Sequence, residues 1–115
     1  MVASNTTGSD NTAMGLQGLF SNTTGDDNTS LGLQALFYNT TGDNNTLVGS
    51  GARTNAVGNA NSTAIGYAAA GTGSNTISLG NTSISNIEGQ VDFAAYSVFG
   101  KLIFLLYILN LCIGL

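Results

Sequence analysis

Five short segments decide the fold: Asn11-Thr12-Ala13-Met14-Gly15, Asn28-Thr29-Ser30-Leu31-Gly32, Asn45-Thr46-Leu47-Val48-Gly49, Ser62-Thr63-Ala64-Ile65-Gly66 and the shorter Ile77-Ser78-Leu79-Gly80. From glycine to glycine the spacing is 17, 17, 17 and then 14 residues, with Gly15, Gly32, Gly49, Gly66 and Gly80 closing the copies. One apolar residue stands before each glycine, and two places earlier comes a Thr, or Ile77 in the last copy. Residues i and i+2 share a face of a β-strand. The pattern predicts one short strand per copy, ended by a turn glycine, with Met14, Leu31, Val48, Ile65 and Leu79 stacked as a core ladder.

Outward from these segments, Asn5-Thr6-Thr7-Gly8 returns as Asn22-Thr23-Thr24-Gly25 and as Asn39-Thr40-Thr41-Gly42, again 17 residues apart. The intervening Leu16-Gln17-Gly18-Leu19-Phe20 and Leu33-Gln34-Ala35-Leu36-Phe37 read as a second strand or a tight bend. The Gly- and Asp-rich clusters at 24–28 and 41–45 are turn material, because Gly and Asn tolerate positive φ and Asx side chains bond their own backbone. A 17-residue unit cannot bury a face alone, but stacked units pair their backbones and align like residues into a shared core. The expected fold is therefore an all-β solenoid of about five rungs over residues 1–90, with a hydrophobic, helical tail over 91–115. At about 4.8 Å per rung, five rungs make a rod of roughly 24 Å with two open ends. A disordered low-complexity tract is the reading that Asn, Gly, Ser and Thr favour by composition, but it leaves the fixed register of the apolar residues without a reason. A helical repeat conflicts with the Gly of every copy and the Thr of nearly every one.

Composition narrows the function. Of the 115 residues 55 are Gly, Asn, Thr or Ser, and only 7% are charged, where a domain ordinarily carries about a quarter. Solubility must come from amides and hydroxyls, or the surface must be covered in an assembly. The net charge is −4, and Arg53 and Lys101 are the only basic residues, which removes the surface that a nucleic-acid partner needs. With no His and a single cysteine, Cys112, the usual zinc patterns, a His-based triad and an intrachain disulfide cannot be written. The expectation is a non-enzyme with no cofactor and no metal.

The runs Asn11-Thr12-Ala13-Met14-Gly15-Leu16-Gln17-Gly18-Leu19-Phe20 and Ser62-Thr63-Ala64-Ile65-Gly66-Tyr67-Ala68-Ala69-Ala70-Gly71 resemble the head repeats of trimeric autotransporter adhesins of the YadA-like type. Similar repeats occur in bacterial and phage fibre proteins that end in an endosialidase-type intramolecular chaperone. The resemblance covers about residues 5 to 90. It implies a left-handed parallel β-roll, a homotrimer, and a structural or adhesive fibre that binds host-surface or extracellular-matrix ligands. It also places the fibre outside the cell, at the cell surface, the outer membrane or a virion. A thin roll has little room for aromatics, so Phe20, Phe37 and Tyr67 become candidates for the trimer interface. The family's self-cleavage motif, Ser-Asp followed by Leu-Lys, is not matched at Ser97, which precedes Val98, so the cleavage is not carried over. Two alternatives follow: a tail-fibre stalk that has lost its chaperone, or a membrane-tethered repeat protein.

The mean hydropathy of +0.21 averages a polar repeat with an apolar end. Residues 93–115 contain Lys101 as their only charge, and the stretch from Leu102 to Leu115 is almost wholly apolar. A spanning helix needs about 20 apolar residues, so a membrane segment over 93–115 is an expectation alongside a helix packed in a bundle and an aberrant end. Seven Asn-x-Ser/Thr sequons, at Asn5, Asn22, Asn28, Asn39, Asn44, Asn61 and Asn81, are a by-product of a repeat built from Asn and Thr. The turns Gly25-Asp26-Asp27-Asn28 and Gly42-Asp43-Asn44-Asn45 resemble those of calcium-binding β-rolls, but the Gly-Gly-x-Gly-x-Asp nonapeptide is missing, and turn capping is the expected role of the Asp residues. Stacked Asn22 with Asn39, and Asn28 with Asn45, should form amide ladders. Cys112 reads as a small buried hydrophobe.

Overall fold

A computed structural model describes residues 4–88, 105–110 and 114. Five three-residue strands occur in chain order: β1 (Thr12–Met14), β2 (Thr29–Leu31), β3 (Thr46–Val48), β4 (Thr63–Ile65) and β5 (Ile77–Leu79). They form one parallel sheet in the order β1-β2-β3-β4-β5. Each residue pairs with its counterpart one repeat on: Thr12 with Thr29, Thr29 with Thr46, Thr46 with Thr63, and Thr63 with Ile77. The shortened fourth copy keeps this register by dropping residues from its loops. The fold is an all-parallel β-solenoid of about four turns, in which a backbone that closes a circuit every 17 residues repeats its hydrogen bonds one rung up. Two compact units divide the chain, Met1–Ser85 and Asn86–Leu115. In the second unit residues 105–110 form a short helix.

The interior is lined one residue away from the column that the sequence pattern selects. Met14 is 65% exposed, Ile65 44% and Leu79 41%, and Leu31 and Val48 are half-buried, so the expected core ladder lies on the outer face of the sheet. Its neighbours point inward instead: Ser30, Leu47 and Ala64 are fully buried, and Ala13 packs against the same core. Opposite them stand Ala35, Ala52 and Ala69, all buried, with Leu19 and Leu36 filling the remaining space. The reason is width. A 17-residue circuit encloses a slot that holds Ala and Ser facing Ala, with room for one Leu at rung three, whereas a column of Met, Leu, Val and Ile would overpack it. Ser30 is tolerated inside because its hydroxyl donates to the Ala35 carbonyl at 2.6 Å.

The five repeat glycines all take positive φ. At Gly49 the requirement is double: φ is 135°, and a Cβ would collide with the carbonyl oxygen of Gly66 on the next rung. The chain also enters the left-handed region at Leu19 and Leu36, with φ of 52° and 54°. That conformation is unfavourable for a bulky side chain, and here it is offset by complete burial of both leucines.

Candidate functional site

The solenoid carries side-chain ladders as regular as its backbone ladder. In one column Asn22 Nδ2 donates to Asn5 Oδ1 at 3.0 Å, and Asn39 Nδ2 donates to Asn22 Oδ1 at 2.9 Å. Each amide also closes its own turn by donating to the carbonyl three residues on, Asn22 to Gly25 and Asn39 to Gly42. In a second column the first two Asn oxygens each accept twice. Asn11 Oδ1 takes the backbone N–H and the side-chain amide of Asn28, and Asn28 Oδ1 takes those of Asn45. Asn45 Oδ1 then accepts the backbone N–H of Ser62 at 3.0 Å. Asn22, Asn28, Asn39 and Asn45 are at most 1% exposed. Buried amides are stable only when hydrogen-bonded, and stacking identical residues pairs each amide with its copy on the neighbouring rung. Three sequon asparagines, Asn22, Asn28 and Asn39, are thus sealed inside the fold.

The acidic turns form a corner of the same kind. Asp26 Oδ1 accepts the N–H of Ser9 at 2.7 Å, and Asp43 Oδ1 accepts the N–H of Asp26 at 2.8 Å. These carboxylates cap the backbone of the rung before them. Among the described residues no group of three or more His, Cys, Asp or Glu is placed to hold a metal ion. Repeated from rung to rung, these ladders and corners make a structural scaffold.

On the outside, Gln34 Nε2 donates to Gln17 Oε1 at 2.9 Å. The rings of Phe20 and Phe37 stack at 5.2 Å with planes 2° apart, and Tyr38 meets Phe37 edge-on at 4.8 Å and 75°. Three of these columns stop together at the third circuit, residues 46–62. Where Gln17 and Gln34 lead, Gly51 follows; Phe20 and Phe37 give way to Thr54; Asn5, Asn22 and Asn39 give way to Ala56. The last asparagine is left with a buried Oδ1 that has no partner. In the column of Leu19 and Leu36 the same circuit places Arg53, which is bridged to Ala70 through its backbone. Sequence reading passed over this break. Its signal was present in the loss of the Asn-Thr-Thr-Gly block at 56–59.

No protein-family model, no curated protein and no solved structure matches the chain. The parallel β-solenoid stands on its own geometry, and the tie to YadA-like adhesins has no homology behind it. Two expectations are corrected as a result. The homotrimer rested on the resemblance alone, and with no solved structure of that kind matching it is withdrawn. Of the residues assigned to its interface, Phe20 and Phe37 stack on each other within one chain, and Tyr67 is 74% exposed. The membrane segment over 93–115 is corrected as well. Among the described residues no helix is long and apolar enough to cross a membrane. Of that segment only residues 105–110 and 114 are described. The anchored location inferred from that segment falls with it. Ser97, Lys101 and Cys112 lie outside the described residues.

Proposed function

We propose that the chain is a structural and adhesive fibre module, a stiff solenoid that repeats the same polar side chains at one-rung intervals and attaches through many weak contacts. The observation that supports this reading is the set of ladders linking rung to rung, from buried Asn28 and Asn45 to surface Gln17 and Gln34. Buried ladders stiffen the rod, because no rung can shift without breaking bonds to both neighbours. Surface ladders offer amides and hydroxyls in a row, individually weak, and multivalent display turns weak contacts into avidity.

The test couples the full chain to beads at many copies per bead and measures retention under flow on surfaces coated with matrix protein or with polysaccharide. Beads should be retained where the free chain is washed off. A far-UV circular dichroism spectrum without β-structure would sink the scaffold. A folded chain whose beads are retained on neither coating would sink the adhesive part alone.

A further inference from the structure

The break in the repeat at the third circuit forms a notch of distinctive chemistry. Arg53 is the one side-chain cation among the described residues, and no hydrogen bond or ion pair engages its guanidinium there. It lines a cleft of about 190 Å³ with Gln34, Phe37, Tyr38 and Gly51. It also lines an adjoining cleft of about 480 Å³ that shares Tyr38 and includes Thr54 and Asn55. Phe37 and Tyr38 meet at 75°, so they make an aromatic corner, and the place a third ring would occupy on the Phe20–Phe37 stack holds Thr54 instead. Gln34 spends its amide N–H on Gln17, and with Gly51 next in its column the Oε1 of Gln34 remains an acceptor without a donor from the next rung.

A bidentate cation, an aromatic corner and a free acceptor select a ring that carries a carboxylate, an apolar face and hydroxyl donors. Arg pairs with planar carboxylates through two parallel N–H bonds. A phosphate offers no face to Phe37, and a neutral sugar leaves Arg53 unused. We propose that this notch binds a hexuronate residue, with its carboxylate on Arg53, the C–H face of its pyranose on Phe37 and Tyr38, and a hydroxyl donated to Gln34 Oε1. The assignment names the ligand class for the adhesive reading and rests on it. One notch per chain gives weak binding to a single sugar, and an acidic polysaccharide is held by many chains at once.

The experiment titrates the full chain, isotopically labelled, with sodium glucuronate, with a trigalacturonate, and with neutral glucose, and follows amide and Arg53 side-chain shifts by NMR. Both acidic sugars should move Arg53, Phe37 and Tyr38 signals saturably, while glucose leaves them still. Arg53→Gln should weaken glucuronate binding by about tenfold or more, and Arg53→Lys should fall between it and the parent chain, since a point charge replaces a fork. Thr54→Phe completes the aromatic stack and should abolish binding with the fold intact. A well-dispersed spectrum in each variant separates loss of the site from loss of the solenoid. Failure of glucuronate to shift the folded parent chain overturns the proposal, as does equal binding of glucose or an unchanged affinity in Arg53→Gln; retention of beads on matrix protein would then leave the adhesive reading standing without this ligand.

Discussion

Asn28→Ala should be among the most damaging single changes in the molecule, although it removes only an uncharged side chain. Asn28 is 1% exposed. Its Nδ2 donates to Asn11 Oδ1 at 3.1 Å and to the Gly42 carbonyl at 2.8 Å, and its Oδ1 accepts the backbone N–H and the Nδ2 of Asn45, both at 3.0 Å. Truncation does not strand all of these groups. The Gly42 carbonyl keeps Asn39 Nδ2, Asn45 Nδ2 keeps the Asn59 carbonyl, and Asn11 Oδ1 keeps the Asn28 backbone N–H. The Asn45 backbone N–H is left buried without its acceptor. Stranding one such group costs about 1–3 kcal/mol, and each of the other three lost bonds contributes about 0.5–1.5 kcal/mol. Bonds that share atoms do not add fully, so the expected loss is about 3 kcal/mol. That is a large part of the roughly 5–15 kcal/mol a domain has. Urea unfolding followed by far-UV circular dichroism should show the midpoint fall by about 1–3 M with the slope unchanged. Asn55→Ala, which removes the bond from Asn55 Nδ2 to the Thr72 carbonyl at 2.7 Å and the one that Asn59 Nδ2 donates to Asn55 Oδ1, is the control, because Asn55 is exposed and water replaces what is lost. A loss below about 1 kcal/mol at Asn28, or equal losses at Asn28 and Asn55, would refute the argument that the ladder holds the solenoid together.

Three further outcomes follow from the same geometry. Leu47→Ala should cost about 2–5 kcal/mol and Met14→Ala under about 1 kcal/mol, since Leu47 is fully buried and Met14 65% exposed; the reverse order in thermal or urea denaturation would restore the outer column to the core. Ala56→Asn should stabilise the chain by about 1 kcal/mol, by supplying a donor to the unpartnered Oδ1 of Asn39; an unchanged or lowered urea midpoint would count against continuity of that column into the third circuit. Gly49→Ala should destabilise by several kcal/mol, since it adds strain at a φ of 135° to a clash with the Gly66 carbonyl; a melting temperature within a few degrees of the parent would show that the backbone there can give way.

The sequence determined by itself the solenoid, its register and its turns. A period of 17 leaves a strand no partner but its own copy one rung away, so Thr12 had to meet Thr29 and Thr46 had to meet Thr63. The stacking of Asn22 with Asn39 and Asn28 with Asn45 follows from that same identity of position. What the sequence left open was which face of each strand turns inward. A Thr-x-apolar-Gly pattern has an apolar residue on one face and Ala, Ser or Leu on the other, and hydrophobicity alone chooses Met14 and Ile65 over Ala13 and Ala64. Only the closed circuit decided otherwise, because the width across to Ala35, Ala52 and Ala69 admits the smaller column. The notch around Arg53 was likewise beyond a reading of repeats. It consists of what the third circuit lacks, and a missing side chain shapes a site only once the rungs above and below it are in place.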